Sequence, residues 1–277
     1  MTEAAPPADL PPLQHVAAGA RRIAYREAGR GPALVLLHGI GSSSASWRAQ
    51  LAALSDRFHV IAWDAPGYGG SDSLLPPAPT PQDYAAAVLE LANGLGILRF
   101  ALLGHSWGAL IAAAFARHHA ARVTGLILAN ASPGYAAASL DIRRARVDGR
   151  IADMQELGPA GLAAKRAAGL LSANAPAAAV EAVRTVMGQL RPDGYAQAAR
   201  MLGTANILED ARHIALPALI IGATNDTVTP EEGNQRIAAT LPGARYVSLV
   251  GPGHASYVED PAAFNAQIAN FIGAAHG

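Results

Sequence analysis

Leu102-Leu103-Gly104-His105-Ser106-Trp107-Gly108-Ala109 reads as the end of an apolar strand, a tight turn with one serine at its tip, and the start of a helix. Phe100 to Leu103 supplies the strand, and Ala109 to Arg117 supplies an alanine-rich helix. The spacing is that of the G-x-S-x-G nucleophile elbow. Gly104 and Gly108 lack the Cβ atoms that would clash where strand and helix pack closely, so the backbone can hold Ser106 in a strained turn with its hydroxyl pointing outward. Ser106 is therefore the candidate nucleophile.

Outward from this stretch, apolar runs alternate with helical patterns. Ala33-Leu34-Val35-Leu36-Leu37 has no polar alternation, as expected of a parallel strand covered on both faces, and it ends in His38-Gly39-Ile40-Gly41. Similar strands are predicted over His59 to Trp63, Val123 to Ala129, Pro217 to Gly222 and Ala244 to Val250. Two short segments around Val16 to Ala18 and Ile23 to Tyr25 read as an antiparallel hairpin at the sheet edge. Thr80, Pro81 and Asp83 form a helix start that leads into Ala85 to Leu95. The rhythm predicts a doubly wound, mostly parallel sheet.

Between Pro133 and Ile214 the strand signals disappear. Helices are predicted over Ser139 to Leu157, Pro159 to Leu171, Pro176 to Leu190 and Gly194 to Leu202, after which strand character resumes. The expected organisation is a core formed by residues 1–132 and 215–277 and a helical cap formed by residues 133–214. Open α/β sheets place ligands at the carboxyl ends of their strands, so the cap is expected over Ser106.

Composition narrows the function. Hydrophobic residues make up 51% of the 277 residues, the formal net charge is zero, and there is no cysteine. Disulfides and thiolate chemistry are excluded, and no electrostatic footprint for nucleic acid or a membrane surface exists. Met1 to Pro12 carries neither a basic region nor a long apolar run and reads as a loose, unprocessed arm, so a cytoplasmic location is expected. No H-E-x-x-H spacing occurs among the nine histidines, and Gly67, Gly69 and Gly70 lack dinucleotide spacing, so neither a metal nor a cofactor is expected. A small-molecule substrate and a monomer or homodimer complete the expectation.

A serine hydroxyl needs a base, and His254, in a Gly-Pro-Gly-His turn, could supply it. A carboxylate on the far imidazole nitrogen would fix the tautomer, and Asp226 is the candidate. Both turns follow strands, which puts Asp226 and His254 at the same end of the sheet as Ser106. Along the chain the order is nucleophile Ser106, acid Asp226, base His254. Backbone N–H groups of Trp107, at the helix start, and Ile40 are the candidate oxyanion donors. His105 and His38 are expected to pack and to order loops. Trp47, Tyr68, Tyr135 and Met201 could line an apolar pocket, although each residue type is more often core.

His38-Gly39 after a strand, Asp64-x-x-Gly67-x-Gly69-x-Ser71-Asp72, Gly104-x-Ser106-x-Gly108, Asp226 with Pro230, and His254 resemble, in this order, the landmarks of the α/β-hydrolase superfamily from about Arg22 to Ile272. The loop His38-Gly39-Ile40-Gly41-Ser42-Ser43 with Trp47, together with the cap, is similar to the enol-lactonase and carbon–carbon hydrolase group. The resemblance implies a cofactor-independent serine hydrolase acting on a small ester, thioester or lactone. A carbon–carbon hydrolase of a diketone-like substrate and a ligand-sensing receptor on the same fold are the alternatives, with peroxide chemistry more remote. The cap segment is rich in arginine, including Arg143, Arg146, Arg150 and Arg166. Most read as solvated helix faces, but one turned inward would suit a substrate carboxylate. The sequence does not select which.

Overall fold

The computed structural model describes residues 9–19 and 21–275. Most of the sequence-predicted arm, residues 1–8, lies outside that range, and residues 9–12 carry no regular structure.

The strands are β1 (Gln14–Ala18), β2 (Arg21–Ala28), β3 (Ala33–Leu37), β4 (His59–Trp63), β5 (Phe100–His105), β6 (Val123–Ala129), β7 (Ala218–Ala223) and β8 (Arg245–Leu249). They form one sheet in the order β1-β2-β4-β3-β5-β6-β7-β8. From β4 to β8 every neighbouring pair is parallel, whereas β1 and β2 pair antiparallel with each other, as does β2 with β4. The continuous apolar runs of β3, β5 and β7 have this cause: they are central, and helices cover both faces. The predicted hairpin sits at the edge, with Val16 opposite Ile23.

The helices are α1 (Arg48–Leu54), α2 (Pro81–Gly94), α3 (Trp107–His118), α4 (Leu140–Arg166), α5 (Ala177–Met187), α6 (Pro192–Thr204), α7 (Ile207–Ala211), α8 (Glu231–Thr240), α9 (Ser256–Glu259) and α10 (Pro261–Ala275). At the start of α2, Asp83 N donates to Thr80 Oγ1 at 3.3 Å and Thr80 N donates to Asp83 Oδ2 at 2.7 Å, a reciprocal capping box. The central α3 is buried from Trp107 to Ala116, and its alanines let it lie close against the sheet.

Four helices, α4 to α7, are inserted between β6 and β7. The break foreseen between Leu157 and Pro159 is a kink in α4, where Gly158 takes φ 63° ahead of Pro159. The short α7 was not foreseen; its buried Ile207 and Ala211 are too few to show a period. The insertion is seated on the core by backbone contact. Gly194 of α6 lies so near Gly67 that a Cβ there would stand 1.9 Å from the Gly67 carbonyl oxygen. Beside it, Gln197 Nε2 donates to the carbonyls of Leu74 and Pro76, both at 2.8 Å. No helix among the described residues is long and apolar enough to cross a membrane.

Candidate active site

The turn between β5 and α3 has the strain its sequence implied. Ser106 adopts φ 54° and ψ −115°, a left-handed backbone unusual for a residue with a Cβ. The flanking glycines are required. A Cβ on Gly104 would stand 2.4 Å from Gly108 O, and one on Gly108 would stand 2.5 Å from Leu37 O. The turn is pinned by Ser106 N donating to Ala129 O at 2.9 Å and by Ser132 N donating to Ser106 O at 3.1 Å.

Ser106, His254 and Asp226 come together as a hydrogen-bonded chain. His254 Nε2 lies 2.9 Å from Ser106 Oγ, and His254 Nδ1 lies 2.9 Å from Asp226 Oδ2. The Asp226 side chain is fully buried. Its Oδ1 accepts the backbone N–H groups of Val228 and Thr229, both at 2.8 Å, and its Oδ2 accepts Asn130 Nδ2 at 2.8 Å. Burial raises the pKa of this carboxyl, but hydrogen bonds from His254 and Thr229 outweigh it and hold Asp226 well below the usual carboxylate range. Ionised Asp226 makes His254 Nδ1 a donor, which leaves Nε2 free to accept the serine proton.

Sequence reasoning missed the cradle around Asp226. Asn130, at the carboxyl end of β6, takes φ 45°, which Asn tolerates better than most residues; its Oδ1 accepts Ser256 Oγ at 2.7 Å. Thr229 Oγ1 lies 2.7 Å from Asp226 Oδ2 and 3.0 Å from Asn130 O, and its one proton serves one of them at a time. Asn234 ties the loops together, accepting Ala131 N at 2.8 Å and donating to Thr229 O at 3.0 Å. A polar residue directly after a central strand was the available signal for Asn130.

The loop after β3 lies against the serine, since a Cβ on Gly39 would be 3.3 Å from Ser106 Cβ. His38 orders this loop from within. Its Nδ1 donates to Gly39 O at 2.8 Å, and its Nε2 accepts Ala65 N at 3.0 Å, with burial lowering its pKa and keeping it neutral. Tyr68 OH donates to Ile40 O at 3.0 Å. Neither Ile40 N–H nor Trp107 N–H has a protein acceptor among the described residues. His105 packs against Trp47 and Tyr257 and donates through Nε2 to His254 O at 2.9 Å. Burial, with the neighbouring His254 adding to it, lowers its pKa to about 3.

Ser106 and His254 open into a cavity of about 420 Å³. Leu162, Val183, Met187 and Leu202 of the inserted helices line it, with Arg150 and Tyr195 as polar members. Of the four pocket candidates only Tyr135 lines this cavity; Trp47, Tyr68 and Met201 are core. Among the described residues no cluster of three or more His, Asp or Glu side chains could hold a metal ion.

Comparison with known proteins identifies the fold. Residues 32–261 match the family model for the alpha/beta hydrolase fold. A putative carbamate hydrolase of Caulobacter sp. strain K31 is 30% identical over 258 residues, covering 90% of this chain and 95% of its own length. Among solved structures, a thermophilic esterase from Thermogutta terrifontis superposes with TM-score 0.85 at 25% identity, covering 96% of this chain and 100% of its own. The enol-lactonase from Burkholderia xenovorans LB400 gives 0.84 at 27%, covering 94% and 99%. The chain belongs to the α/β-hydrolase fold family and is a hydrolase of that family.

Proposed function

We propose that the protein is a serine hydrolase that cleaves a small ester, thioester or lactone through an acyl-enzyme on Ser106. The observation that carries this reading is the pair of 2.9 Å contacts from His254, one to Ser106 Oγ and one to Asp226 Oδ2. His254 Nε2 removes the hydroxyl proton as Ser106 Oγ attacks the carbonyl carbon, and ionised Asp226 stabilises the imidazolium. The oxyanion is received by the N–H groups of Ile40 and Trp107, where loss of one such donor costs about 2.7–4 kcal/mol. Collapse expels the alcohol or thiol, which takes the proton from His254. Water, deprotonated by the same Nε2, then attacks the acyl carbon, and collapse breaks the bond to Ser106 Oγ, which recovers its proton from His254 as the acid leaves.

The cavity volume of about 420 Å³ suits a small molecule. Residues 133–214 act as the cap and set specificity, since they supply most of its apolar wall. The esterase and enol-lactonase likenesses favour an acyl substrate over a diketone.

The test is a panel of 4-nitrophenyl esters, thioesters, lactones, a carbamate and a β-diketone, with products identified by mass spectrometry. Acyl cleavage yields an acid with its alcohol, thiol or amine, and Ser106→Ala should lose on the order of 10³-fold or more in kcat. Undiminished turnover by that variant would refute the proposed nucleophile, and a protonated-carbon product would instead establish carbon–carbon cleavage.

A further inference from the structure

The cavity holding Ser106 is lined by four cationic side chains, Arg146, Arg150, Lys165 and Arg166, and by no Asp or Glu among the described residues. Two of the four are paired with a carboxylate, and a third, Arg146, is exposed. Lys165 and Arg166 both pair with Asp153, and Arg146 stacks on the Tyr135 ring with its guanidinium carbon 5.2 Å from the centroid. Arg150 differs. Its Nε donates to Tyr135 OH at 3.0 Å and its Nη1 to Tyr195 OH at 3.4 Å. Both acceptors are neutral phenols, and Arg150 pairs with no carboxylate among the described residues. Nη2 has no acceptor there.

A partly buried guanidinium with only neutral partners is held in place but electrostatically uncompensated. The phenols fix its plane by accepting from Nε and Nη1, which leaves Nη2 and the second Nη1 hydrogen as a fork. That fork matches the two oxygens of a carboxylate, and an anion seated on it would be bound by charge-assisted hydrogen bonds in a site largely shielded from water.

We propose that Arg150, oriented by Tyr135 and Tyr195, binds a carboxylate on the substrate remote from the scissile carbonyl, so that the preferred substrates are acid-bearing esters or lactones. This inference rests on the reading of Ser106 as nucleophile only for its consequence in turnover. The subsite itself is a property of binding.

Binding is therefore measured where chemistry is blocked. Ser106→Ala protein is titrated by calorimetry with mono-4-nitrophenyl esters of succinate, glutarate and adipate, and with the carboxamides that replace each free acid by a neutral group of the same shape. The expected result is at least tenfold tighter binding of the carboxylate at one chain length. Adding Arg150→Met should abolish that preference, and adding Arg150→Lys should retain part of it. Equal affinity for acid and amide at every length would overturn the proposal, and that comparison needs no Arg150 variant to fold. Retention of the full preference by a folded Arg150→Met protein would also overturn it. Failure of wild-type protein to cleave any of these esters would count against the acyl-enzyme reading, while the titrations still decide the subsite.

Discussion

Glu259 and Ser172, 87 residues apart, are joined by two hydrogen bonds: the carboxylate accepts Ser172 N at 2.9 Å and Ser172 Oγ. The same carboxylate accepts Gly253 N at 3.0 Å, and Ala255 N donates to Leu170 O at 2.7 Å. His254 sits between those two backbone groups. The inserted segment at residues 170–172 and the loop carrying His254 are thus one unit.

Glu259→Ala should loosen that unit. Two backbone N–H groups lose their acceptor, each at about 1–3 kcal/mol if left buried and unpaired. The expected outcome is a lower Tm and a fall in kcat of roughly tenfold, because the loop carrying His254 is no longer held in position. Steady-state kinetics checks this, and an effect on KM alone would contradict it.

Gly108→Ala should be far more damaging than its single methyl suggests. The new Cβ would stand 2.5 Å from Leu37 O and 2.6 Å from His38 O, both backbone atoms that cannot rotate aside. Separation of α3 from β3 would open the packing between them, costing about 3 kcal/mol or more. Denaturant titration measures it; a change within 0.5 kcal/mol, roughly that of a neutral surface substitution, would be inconsistent with the packing.

Asp226→Asn should keep the fold and lose the chemistry. The amide oxygen can still accept backbone N–H groups, but the negative charge that stabilises the imidazolium and sets the His254 tautomer is gone. By comparison with other serine hydrolases, kcat should fall on the order of 10³–10⁴-fold. Near-wild-type kcat would place the supporting carboxylate elsewhere.

Acid should destabilise the protein earlier than carboxylate titration alone would. His105 has its pKa lowered from 6.5 to about 3 by burial, then by His254, so between those values the unfolded chain binds a proton that the folded one does not. Stability therefore falls as pH drops below about 6.5, at up to roughly 1.4 kcal/mol per pH unit for this residue, and His38 acts in the same direction. His105→Asn should flatten that slope in urea midpoints measured from pH 4.5 to 6.5. An unchanged slope would show that His105 does not contribute.

The sheet, the elbow and the three chain-forming residues were legible because each rests on a local rule. Apolar runs such as Ala33–Leu37 name buried parallel strands, and Gly104 and Gly108 name a close approach. The cradle of Asn130, Thr229 and Asn234 was not legible, since its bonds join loops 96 to 103 residues apart and leave no local period. The inward arginine was equally hidden. Arg150 is set apart from its neighbours on α4 by donating hydrogen bonds to both Tyr135 and Tyr195, a relation that exists once the helices have packed.

Labelling with a fluorophosphonate, followed by intact-mass measurement and peptide mapping, tests the central claim most directly. The reagent attacks an activated serine and leaves a stable tetrahedral adduct. The expected result is one adduct per chain, located on Ser106 and absent from Ser106→Ala and His254→Ala proteins. An adduct on another residue, or hydrolytic activity that survives complete labelling, would contradict the assignment of Ser106 as nucleophile.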